Sequence, residues 1–165
     1  MNKEPYLMYY ERLLTYLNSL TSGQTIIPTV RGSFQLVVER ENNEITGITV
    51  TGLRADPFIR IEAFEKAIQF IYESPNHTAL RGNNTNGPLM FPINTIDAYV
   101  AHYAYDIPIG TNALRRITHI AGLLIAANVC EYVYSGDGNP TIPQHGNPSF
   151  RGMVTPPLSG GFLLV

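Results

Sequence analysis

From Ile93 to Ser135 the chain reads INTIDAYVAHYAYDIPIGTNALRRITHIAGLLIAANVCEYVYS, its longest run of apolar residues at helical period. Asp106-Ile107-Pro108-Ile109-Gly110 is turn chemistry and cuts the run in two, so the pattern predicts two helices in succession. Asn94 or Thr95 can cap the first, which extends to about Tyr105, and Thr111 or Asn112 can cap a second extending to about Asn128. Val129 to Tyr134 then alternate like a strand. On the second helix Leu114, Ile117, Ala121, Leu124 and Ile125 share the face that spacing assigns to the core. Asn112, Arg115 and His119 share another, with Arg116 beside it, and these are the candidate partner-facing residues of the segment.

The remainder supplies mixed helix and strand. Leu7, Tyr10, Leu13, Leu14 and Leu17 recur at three- and four-residue spacing and predict an amphipathic helix over about 5–20, stopped by Ser22-Gly23. Residues 33–40 and 47–52 alternate apolar and polar, with Glu41-Asn42-Asn43-Glu44 between them, and predict an antiparallel hairpin with a four- to five-residue turn. Arg54-Ala55-Asp56-Pro57 is a further turn. Ile61, Phe64, Ala67, Ile68 and Ile71 lie on one face of a second helix over 61–74, which Pro75 ends because proline disfavours helical geometry in the residue before it. Residues 75–92 are rich in Gly and Asn and read as an exposed loop, with a short extended piece at 89–93. The Pro- and Gly-rich tail predicts short irregular strands such as 161–165, in an arm that orders against the body or a partner. The fold class is therefore α+β, with an N-terminal helix and β-hairpin, a helical second part and a Pro/Gly-rich C-terminal arm. At 165 residues this is one domain. It subdivides into 1–57, 58–142 and 143–165.

The order of helix 61–74, short strand 89–93, helix 95–105, tight turn, helix 111–128 and a strand into Ser135-Gly136-Asp137-Gly138 resembles the winged helix-turn-helix DNA-binding domains over residues 61–142. That resemblance implies that the last helix enters the major groove and that a β-hairpin follows as the wing. Asn112, Arg115, Arg116 and His119 would then be the nucleic-acid-binding residues, with Asn suited to adenine and Arg to guanine or phosphate. The long Asn/Gly loop ahead of the short strand and the lack of basic residues in the wing differ from the family pattern.

Charge and chemistry narrow the function classes. The formal net charge of −2 supplies no global pull toward nucleic acid, so any such contact is local. Nine arginines stand against only Lys3 and Lys66, a choice suited to planar recognition of phosphate or carboxylate. Charged residues make up 15% of the chain, below the roughly 25% of an average protein, and such depletion is a mark of interface cores. A protein partner or a homo-oligomer is therefore expected. Cys130 stands alone, which excludes an internal disulfide. His77, His102, His119 and His145 fall in no metal-binding spacing, and no catalytic motif or cofactor fingerprint occurs. The N-terminus lacks the pattern of a signal peptide and no window is long enough to span a bilayer, so a cytoplasmic protein with no membrane partner is expected. The leading expectation is a nucleic-acid-binding recognition or regulatory module without its own catalysis. The alternatives are a protein-interaction subunit of an oligomer or larger complex, and a hydrolase or nuclease with dispersed catalytic residues.

Overall fold

The computed structural model describes residues 4–20, 25–29, 32–82, 93–133 and 161–164. The architecture is α+β, as the patterning predicts. Helix α1 (Leu7–Ser19) is followed by strands β1 (Thr25–Pro28), β2 (Ser33–Glu41), β3 (Glu44–Val50) and β4 (Phe58–Arg60), which form an antiparallel sheet in sequence order. Then come α2 (Ile61–Glu73), β5 (Thr78–Leu80), α3 (Ile96–Tyr105), α4 (Ile117–Ala126), β6 (Cys130–Val133) and β7 (Gly161–Leu164). β7 lies between β5 and β6 in a second antiparallel sheet, so the C-terminal arm ends by pairing with its own chain. The expected extended piece at 89–93, the wing beyond β6 and most of the arm lie largely outside the described residues.

The hairpin of β2 and β3 turns more tightly than the sequence suggests. Asn42 and Asn43 have φ of 52° and 65°, and Glu41 pairs directly with Glu44. A two-residue turn with both central residues left-handed matches the twist of the flanking strands, and asparagine tolerates that conformation best after glycine. The register shifts between Glu39 and Arg40, which gives the ladder an extra residue beside Gly47. A Cβ at Gly47 would collide with the carbonyl oxygen of Ile59 and come within 2.8 Å of the Phe58 ring, so only glycine lets β4 approach here.

Helix α2 is the spine between the two sheets. Its face of Ile61, Ala63, Phe64, Ala67, Ile68 and Ile71 is buried, and it packs on α1, α3, α4 and strands of both sheets. One continuous cluster joins Leu13, Leu36, Ile48, Phe64, Ala79, Ile117 and Cys130. Helix α3 is capped as expected, with the Thr95 hydroxyl accepting from the Ala98 N–H at 3.2 Å. It closes on Asp106 in the left-handed conformation.

Helix α4 is shorter than predicted. It begins at Ile117 rather than at Thr111 or Asn112, for two reasons. The Thr111 hydroxyl donates to the Pro108 carbonyl at 2.5 Å, closing a turn instead of accepting a helical N–H. The Arg116 N–H is meanwhile directed at Asp97 Oδ1 of α3, 3.4 Å away. Its far end is ordered by local chemistry. Asn128 at φ 63° donates to the Ile125 carbonyl at 3.0 Å and Val129 to that of Leu124 at 2.9 Å, the paired bonds of a Schellman motif. The Asn128 carbonyl then accepts from Arg12 of α1 at 2.9 Å.

The packing at Gly47 generates a direct test. Gly47→Ala is expected to lower unfolding stability by about 1–3 kcal/mol, the range for overpacking, as read by denaturant titration. An unchanged midpoint would show that β4 has room to move.

Candidate functional site at the arginine corner

Four segments meet where α3 ends and α4 begins. Asp56 lies in the turn between β3 and β4 at φ 48°, Arg60 ends β4, Tyr105 is the last residue of α3, and Arg116 directly precedes α4. The Arg116 guanidinium carbon sits 3.7 Å from the centroid of the Tyr105 ring, and that of Arg60 sits 4.5 Å from the same centroid. Arg116 Nη2 donates to Asp56 Oδ2 at 2.5 Å, and its Nη1 to the Leu114 carbonyl at 3.3 Å. Arg60 Nη1 donates to the Ala104 carbonyl at 3.0 Å, where the negative end of the α3 dipole favours a cation. The Arg60 backbone N–H donates to the Tyr105 hydroxyl at 3.4 Å. Burial raises the Tyr105 hydroxyl above its ordinary pKa, with Arg116 and Arg60 acting in the opposite direction.

The four residues proposed from the helix pattern are distributed differently in space. Asn112 is exposed in the connector ahead of α4, Arg115 is half-buried, and Arg116 is only 8% exposed. None of the three lies within α4. His119 lies in α4 and packs edge-on against Phe34, with ring centroids 4.9 Å apart. Its side chain is therefore directed at β2, while Arg116 is directed at Asp56 and Tyr105. The anion beside Arg116 is the Asp56 carboxylate of the chain itself. Arg54, Arg60 and Tyr105 were not assigned to this site by spacing. The signal for them was the turn Arg54-Ala55-Asp56-Pro57 followed by Arg60 and, sixty residues from Asp56, Arg116. Nothing in the periodicity joins those segments.

Around this corner Arg54 and Arg60 are exposed, as are Asp56 and Asp106. Leu53 and Phe58, at 38% exposure each, flank the same turn. The corner thus combines guanidinium groups with apolar and aromatic surface.

Cys130, Glu131 and Arg81 are embedded in the core. Burial, then the neighbouring Glu131 carboxylate, pushes the Cys130 thiol far up, so it is a core residue and no thiolate. Arg81 is buried and donates to the Thr118 hydroxyl at 3.3 Å. Among the described residues no group of three or more His, Cys, Asp or Glu is arranged to hold a metal ion, and no helix is long and apolar enough to cross a membrane. Comparison with protein-family models, with curated proteins and with solved structures gave no match.

Burial lowers the pKa of His119, so the folded state prefers the neutral ring. A folded pKa below the unfolded value of about 6.5 means that the contribution of His119 is complete above that pH and is lost as pH falls through the folded pKa. His119→Phe is expected to flatten the loss of stability below about pH 6.5. An acid transition of unchanged slope in the variant would place its origin elsewhere.

Proposed function

We propose that the protein is a nucleic-acid-binding module without catalysis of its own, and that its contact surface is the arginine corner around Tyr105. The observation that carries this reading is the convergence of Arg60 and Arg116 on the Tyr105 ring from segments far apart in the chain, with Arg54 in the same turn as Asp56 and Arg115 next to Arg116 in sequence. Guanidinium groups match phosphate geometry with two parallel hydrogen bonds. The Asp56 carboxylate holds Arg116 against the Tyr105 ring, and this frame positions the ring against which Arg60 lies. The exposed Arg54 is the side chain that would reach phosphates, with Arg60 offering the guanidinium nitrogens not used on Ala104, while Phe58 and Leu53 offer apolar surface to bases or sugars.

The winged helix-turn-helix resemblance contributes to this reading only the succession of helix, connector, helix and strand, and the connector over 106–116 is longer than the tight turn that the resemblance implies. Contact is through the connector and the β3–β4 turn rather than along α4, because the arginines precede that helix. Asn112, exposed in the same connector, remains a base-contacting candidate. DNA is the proposed partner.

The test is fluorescence anisotropy of a labelled DNA duplex at 50 and 200 mM salt, with Arg54→Ala, Arg60→Ala and Arg115→Ala. Each substitution is expected to weaken binding and to reduce the slope of log affinity against log salt by about 1, as loss of a phosphate contact does. Affinity and slope unchanged in Arg54→Ala and Arg60→Ala would overturn the assignment.

A further inference from the structure

The opposite end of α2 carries the reverse chemistry. Phe70 stacks on Tyr99 with ring centroids 4.8 Å apart at 28°, and Tyr99 continues to Tyr103 at 4.4 Å. These rings, with Glu73, Ser74 and Ile109, line a groove of about 430 Å³. Tyr103 is 51% exposed and Ile109 is 37% exposed, so apolar surface stands open to solvent there. A second groove, of about 440 Å³, lies beside the last turn of α2 along Tyr72, Tyr9, Met8 and His77, with Glu4 and Glu11 at its edge. Tyr72 stacks on His77 at 4.5 Å, and Met8 is 58% exposed.

Among the described residues the groove of Phe70, Tyr99 and Tyr103 has no lysine or arginine in its lining, whereas the Arg12 guanidinium carbon lies 5.4 Å from the Tyr9 centroid beside the second groove. Helix α2 also carries no basic residue in its last turn, so its own sequence leaves the negative end of the dipole without a cation. The charge of Glu73 is felt within the aromatic row. The Tyr99 hydroxyl is pushed up to about 12, first by burial and then by that carboxylate. Stacked rings with a carboxylate at their margin attract an organic cation, because the ring faces are electron-rich and the carboxylate neutralises the guest. A polyanion is repelled by the same arrangement. These observations stand apart from the arginine corner and do not rest on the nucleic-acid reading.

We infer that the groove of Phe70, Glu73, Tyr99 and Tyr103 is a docking site for a basic segment of a partner polypeptide, whose lysine or arginine side chain lies against the aromatic row with its charge at Glu73. Apolar residues beside that cation would meet Ile109.

The experiment uses the full chain and a fluorescein-labelled nonapeptide alternating Lys, Arg and Leu, read by anisotropy, with control peptides in which Glu or Gln replaces the basic residues. The basic peptide is expected to bind and both controls to fail. Glu73→Gln and Tyr103→Ala, at exposed positions, should each weaken binding about five- to tenfold, the scale of a desolvated cation over an aromatic face. Tyr103→Phe should retain binding, since the ring rather than the hydroxyl is required. Arg60→Ala should leave it unchanged, because that residue belongs to the other end of α2. Equal binding of the neutral or acidic peptide would overturn the inference, as would full affinity in Glu73→Gln or loss of affinity in Tyr103→Phe.

Discussion

The contact of Arg116 with Asp56 over the face of Tyr105 ties together parts of the chain that no local rule connects. The ion pair alone would be worth little, since the Asp56 side chain is 52% exposed and solvent screens it. Its weight comes from the other partner. The Arg116 side chain is only 10% exposed, so its hydrogen bonds to Asp56 and Leu114 must replace water. The same residue presents its backbone N–H to Asp97. The start of α4, the end of α3 and the β3–β4 turn are thereby fixed to one another, and the exposed Arg54 and Arg60 take their positions from that frame.

Helix α2 connects this corner to the rest of the molecule and separates two kinds of surface. Arg60 stands at its N-terminal end, where the dipole is unfavourable to a cation, and resolves the conflict by reaching to the carbonyl end of α3. At the other end the Ser74 hydroxyl donates to the Phe70 carbonyl, Pro75 stops the helix, and the rings of Phe70, Tyr72 and Tyr99 come to the surface with Glu73 among them. A net charge of −2 conceals this segregation. A small overall charge therefore says little about what a particular face can bind.

Elements whose rules are local were legible in the sequence. The α2 periodicity, the Thr95 cap and the stop at Pro75 each depend on neighbours within a turn, and the structure places all three where the spacing does. The hairpin was legible as a hairpin, yet its turn came out two residues long because Asn42 and Asn43 both accept positive φ. The start of α4 was not legible. Thr111 and Asn112 are good capping residues, but Thr111 closes a turn on Pro108 and the Arg116 N–H is directed at a carboxylate nineteen positions away. The site shared that fate, since the stripe of Asn112, Arg115, Arg116 and His119 presupposed a helix beginning four or five residues too early. β5 escaped because three residues inside a Gly- and Asn-rich stretch carry no pattern of their own. They become a strand by pairing with β7, at the far end of the chain.

Arg116 and Asp56 hold this corner by acting together. A double-mutant cycle with Asp56→Ala, Arg116→Ala and the pair, read by denaturant unfolding, measures that directly. A coupling energy of about 0.5–1 kcal/mol is expected, from a half-exposed ion pair whose arginine is buried. Additivity within about 0.3 kcal/mol would mean that the corner is held by other contacts and would contradict the account.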